Sequence, residues 1–139
     1  IHTVSNGDGM EKTCDLARRD INGLIFVNLV DFDSKYGHRN DADGYAKALS
    51  SFDSDLKKLD LLLGEGDAAI VTADHGCDPS DVSTDHTREY VPIVAFGRRL
   101  KSGVNLGVRE SFCDIGATVA QLLGLGLKTG KSFAEEIVL

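Results

Sequence analysis

The sequence predicts an α/β sandwich built on a largely parallel sheet. Three short apolar runs, residues 24–30, 68–72 and 91–96, have the length and β-branched content of buried strands. Stretches with helical periodicity separate or flank them. Acidic and histidine-bearing segments follow the first two runs directly, at the strand ends where such sheets gather ligands.

The elements follow in order. Residues 9–19 place Met10, Cys14 and Leu16 roughly on one helical face and end in Arg18 and Arg19, a charge favourable at a helix C-terminus. Asn22-Gly23 breaks that helix, and residues 24–30 read as a strand buried on both faces. The second helix carries Tyr45, Leu49, Phe52, Leu56, Leu59 and Leu63 at spacings of three and four. Asp41 or Asp43 caps its start and Gly64 closes it. After a Gly-Glu-Gly-Asp turn, residues 68–72 form a second strand, and residues 76–89 are too polar for anything but a long loop. In the third strand, residues 91–96, Pro92 marks a start or an edge. Asp114 is expected to cap a helix bearing Ile115, Val119, Leu122 and Leu123, stopped by Gly124, and residues 133–138 form a short amphipathic tail. These pieces make a single α/β unit over residues 1–139.

A chain of 139 residues is long enough for one domain. Its 42% hydrophobic and 27% charged content is that of an ordinary globular protein. No apolar run approaches the roughly 20 residues of a membrane span, and the polar, Gly-rich start is no secretory signal. The absence of an initiator Met at Ile1 suggests part of a longer protein. A net charge of −7 argues against nucleic acid or an anionic membrane as partner, but not against phosphate, because bound divalent cations reverse the local field. Cys14, Cys77 and Cys113 form no close-spaced pair and are odd in number, the usage of reduced thiols in the cytoplasm.

The chemistry concentrates in two places. One is Thr72-Ala-Asp74-His75-Gly76, followed by His86 within Thr84-Asp-His-Thr-Arg-Glu89; the other is Asp31-Phe-Asp33 with Gly37-His38-Arg39. Gly76 permits the sharp turn that brings Asp74 and His75 toward one cluster, although adjacent strand residues otherwise face opposite ways. Asp33, His38, Asp74, His75 and His86 together supply two carboxylates and three imidazoles, a donor set that suits Mn2+ or Zn2+. Asp31, two residues from Asp33 and on the same side of an extended segment, competes for its role. Taken singly, each of these residues also reads as a turn cap or a solvated loop side chain, as His2 does near the terminus. Arg39 and Arg88 either hold a phosphate or pair with Asp41 and Glu89. Cys77 has no adjacent basic residue to activate it and reads as a spectator thiol.

These stretches, with the 28–33 segment Asn-Leu-Val-Asp-Phe-Asp, resemble the phosphopentomutases of the alkaline phosphatase superfamily over nearly the whole chain. Thr-Ala-Asp-His-Gly marks only the superfamily, which also holds the cofactor-independent phosphoglycerate mutases and phosphatases. The Asp-His-Thr-Arg-Glu string and the Asp-Phe-Asp…Gly-His-Arg loop are more specific. The resemblance implies a three-layer, alkaline-phosphatase-like core of which this chain is the C-terminal half. It implies two Mn2+ ions, one on Asp74 and His75 and a second on Asp33, His38 and His86. It also implies interconversion of the 1- and 5-phosphates of ribose or deoxyribose through a phosphothreonine. The threonine nucleophile, its companion aspartate and the cap domain have no counterpart in these residues. Cys77 stands where the family pattern has Asn. The alternatives are another superfamily enzyme and a non-catalytic metal-binding or interaction domain.

Overall fold

The computed structural model describes residues 1–139. Helix α1, Asn6–Ala17, starts three residues earlier than its apolar spacing predicts, because Ser5 Oγ accepts the Asp8 N–H at 3.2 Å and fixes the first turn. Helix α2, Ala42–Leu62, is capped by Asp41, whose carboxylate accepts the Gly44 N–H at 2.9 Å. The apolar stripes of these two helices meet. Met10, Cys14 and Leu59 are buried between them, with Leu29, Phe52 and Leu56 packed around.

Residues 24–30 do not form the expected strand. They run extended, but the main-chain groups of residues 24–29 make no backbone hydrogen bonds. A strand needs a partner, and none lies alongside. Ile25, Val27 and Leu29 turn inward, the last two onto α1 at Gly9, where an added Cβ would meet Leu29 Cδ2 at 2.8 Å. Leu24, Phe26 and Val30 face outward, with Phe26 83% exposed. A run that is apolar on both faces is thus covered on one.

The sheet has two strands, β1 (Ala69–Thr72) and β2 (Ile93–Phe96), paired antiparallel with Thr72 opposite Ile93. The one pair of strands thus runs antiparallel, where a largely parallel sheet was expected. A parallel pair requires a crossover, usually helical, whereas residues 73–92 contain no helix and simply return the chain beside β1.

Helix α3, Cys113–Leu122, and the short α4, Ala134–Ile137, build a second small core on Thr118, Phe133 and Ile137. Asp114 does not cap α3 as expected. It lies 4% exposed inside the first turn, and its Oδ1 accepts the Lys131 N–H at 2.8 Å. Arg109 covers Phe133 at 5.1 Å and grips Glu136 with two 2.9 Å bonds. No helix is long and apolar enough to cross a membrane.

Candidate metal centre

Between the extended segment and α2, the chain makes a π-helical turn, Phe32–Tyr36, and a 3-10 turn, Gly37–Arg39. Phe32 anchors the first against α2, its ring 5.5 Å from Tyr45 and 5.9 Å from Phe52. With Phe32 fixed inward, Asp31 and Asp33 part company. Asp31 is 9% exposed and locked to the start of α1: its Oδ2 accepts the Asn6 N–H and its own N–H donates to Asn6 Oδ1, each at 2.9 Å. Lys35 Nζ lies 3.0 Å from its other oxygen. Asp33 swings to the opposite side and meets the histidines.

Three imidazoles converge on that one carboxylate oxygen. Asp33 Oδ1 lies 3.0 Å from His86 Nε2, 3.2 Å from His38 Nε2 and 3.9 Å from His75 Nε2. Donor atoms of Asp33, His75 and His86 all fall within 4.8 Å of one another. The His75 and His86 rings stack at 3.7 Å and 20°, and His38 flanks His86 at 4.8 Å. Asp74, largely exposed, places Oδ1 3.5 Å from His75 Nε2. Five side chains separated by up to 53 residues therefore meet at one rim.

Backbone carbonyls decide which nitrogen of two rings faces the cluster. His38 Nδ1 donates to the Thr84 carbonyl, and His75 Nδ1 donates to the Gly76 carbonyl at 3.0 Å. In its neutral form, either ring held this way presents the Nε2 lone pair to the Asp33 carboxylate. Lone pairs facing an anion at these distances repel unless a cation stands among them. Nδ1–H held by a carbonyl with Nε2 left open is also the arrangement that orients histidine ligands for a metal. The residues present fit a divalent cation.

The metalloenzyme superfamily matches residues 1–127. The chain belongs to that superfamily. Among curated relatives, it is 52% identical over 138 residues to the phosphopentomutase of Clostridioides difficile (strain 630), covering 99% of this chain and 35% of the relative. To the phosphopentomutase of Carboxydothermus hydrogenoformans it is 53% identical over 135 residues, covering 97% and 35%. For that of Clostridium novyi (strain NT) the figures are 50% over 139 residues, 99% and 36%. The chain thus spans about a third of the length of the relatives it matches.

In this chain, Cys77 sits behind the centre against Gly37, where no side chain fits. Burial pushes the Cys77 thiol up from its ordinary value, and the nearby charges of Asp33, Glu89 and Asp78 add to the effect. A thiol held protonated is a poor nucleophile, which suits a spectator. Arg39 and Arg88 are exposed and make no ion pair, so of the two alternatives the pairing with Asp41 and Glu89 does not form. A groove of about 860 Å³ opens beside His75, Thr87 and Arg88 and runs along β2 toward Arg109.

Several supports of the centre escaped sequence reasoning. Thr84 acts through its carbonyl, which no side-chain pattern reveals. Asn6 was hidden in a helix start, although Ser5-Asn6-Gly7-Asp8 is a capping sequence whose amide has a free hydrogen-bonding side chain. Asn40, the one non-glycine residue at positive φ, donates from Nδ2 to the Asp81 carbonyl at 2.9 Å and ties the two histidine loops together.

Proposed function

We propose that this chain is the metal-holding part of a phosphopentomutase, which interconverts the 1- and 5-phosphates of ribose or deoxyribose. The observation that carries it is the convergence of three Nε2 atoms on Asp33 Oδ1 with two of the rings turned by carbonyl acceptors. About 50% identity to proteins named phosphopentomutase over nearly all of these residues supports the choice of substrate class.

Asp33, His38 and His86 are assigned to one Mn2+ and Asp74 and His75 to a second, which completes its ligand set with a threonine outside these residues. Bound there, the cations neutralise charge on a transferring phosphoryl group and lower the barrier to attack on it. The protein's own contribution is orientation. The carbonyls of Thr84 and Gly76 hold two rings in one tautomer, Asp31 and Asn6 fix the turn that aims Asp33, and Arg39 and Arg88 stay free to receive a sugar phosphate. None of Thr72, Thr84 and Thr87 serves as nucleophile. Thr72 Oγ1 donates to the Ala73 carbonyl at 3.2 Å, Thr87 Oγ1 is bonded to Asp78 and Glu89, and Thr84 gives its carbonyl to His38. The nucleophile and the sugar-selecting cap belong to the part of the protein beyond this span, and the setting is the cytoplasm.

Calorimetric titration of the 139-residue chain with Mn2+ tests the centre. One site of moderate affinity is expected, lost in Asp33→Ala and His86→Ala. Two equally tight sites contradict the division of ligands, and heat unchanged by both substitutions ends the proposal. Turnover by the full-length protein of ribose 5-phosphate rather than 3-phosphoglycerate tests the substrate class; exclusive turnover of the latter overturns it.

A further inference from the structure

His86 differs from its two partners in one respect. His38 and His75 each anchor Nδ1 on a carbonyl, but the His86 ring has one polar partner, Asp33 through Nε2. Its loop is polar and mostly exposed, so no core packing holds it. Something else must keep this ring stacked on His75.

The residue immediately after it does so. Thr87 donates its N–H to the Gly76 carbonyl at 3.1 Å, forming an antiparallel bridge between the His75 and His86 segments. Its Oγ1 accepts the Asp78 N–H at 3.0 Å and donates its proton to Glu89 Oε2. The hydroxyl thereby spends its one donor and one of its two acceptor sites within the His75 and His86 segments. The approach is close: a Cβ on buried Gly76 would stand 2.7 Å from the Thr87 carbonyl oxygen and 2.6 Å from Glu89 Oε2. On the footing of the metal centre proposed above, we infer that Thr87, buttressed by Glu89, is a positioning residue that sets His86 over His75 for cation binding.

The isosteric change Thr87→Val removes the hydroxyl while keeping volume and charge. It leaves the Asp78 N–H without its acceptor and frees Glu89. Loss of an outer support of this kind lowers metal affinity about 10- to 100-fold. Mn2+ titration of the full chain should show that loss in Thr87→Val and recovery to within about threefold in Thr87→Ser, which restores the hydroxyl. Glu89→Ala and Glu89→Gln provide a second pair should Thr87→Val fail to fold. Gln keeps the acceptor oxygen but drops the charge, so it should bind like the parent chain if positioning is the cause, and as weakly as Ala if simple attraction is. Parent-like binding by both Thr87→Val and Glu89→Ala, with Asp33→Ala still inactive in binding, overturns the role of Thr87 alone. Absence of Mn2+ binding by the parent chain, or its survival in Asp33→Ala, overturns the centre and this inference with it.

Discussion

Asp31 and Asp33 show how two equal residues acquire unequal work. On an extended strand they share a side, and nothing in their types separates them. The π-helical turn beginning at Phe32 breaks that equivalence: once the Phe32 ring packs on Tyr45 and Phe52, one carboxylate is driven toward α1 and the other toward the histidines. The same divergence of environment separates the thiols. Burial raises the Cys14 and Cys77 values, while Cys113 is exposed. For an acid whose value is raised, the reactive thiolate becomes scarcer at any given pH, so the ordering of alkylation at pH 8 should be Cys113 first and Cys14 and Cys77 well behind. Peptide mapping after brief treatment with iodoacetamide checks this; modification of Cys77 ahead of Cys113 contradicts it. Sequence could single out the five candidate ligands because histidines and carboxylates recur together in two short segments, residues 31–39 and 72–89. Their supports were not legible, since Thr84 and Gly76 contribute only main-chain oxygen.

Among the elements, α2 was legible nearly to the residue, because its apolar spacing and its Asp41 cap both depend on near neighbours. The strands were legible only as apolar runs. Pairing direction is a property of two segments and of what joins them, and residues 73–92 join β1 to β2 without a helix. Residues 24–30 carry a strand's composition but meet no partner. The junction between α3 and the 124–133 turn makes a sharper claim. Gly130 has φ 89°, and a Cβ there would come within 3.0 Å of the Asp114 nitrogen and closer still to the Cys113 carbonyl. Gly130→Ala should therefore cost about 1–3 kcal/mol, whereas Gly66→Ala, with nothing within 4 Å of its added Cβ, should cost little. Urea unfolding of the two variants checks the contrast. Equal midpoints would show that the turn yields without strain.

At the scale of the whole molecule, the chain exposes 9362 Å², against about 7,000 Å² for a compact monomer of its mass. Large apolar side chains, including Phe26, Leu61, Val82 and Val108, contribute to the exposed surface. Two small cores, one on α1 and α2 and one on α3 and α4, hold little in reserve. Against that background the span between Asp33 and His86, 53 positions along the chain, takes on a second meaning. At the proposed centre, a cation would fasten distant stretches of the polymer the way a clasp closes a necklace, since only the folded form offers it a seat. Occupancy at a hundredfold excess over Kd then adds about 2.7 kcal/mol, enough to raise Tm by roughly 9 °C. Heating scans with and without Mn2+ should part by that margin in the parent chain and coincide in Asp33→Ala. Endurance under heat would thus track how much metal the surroundings supply.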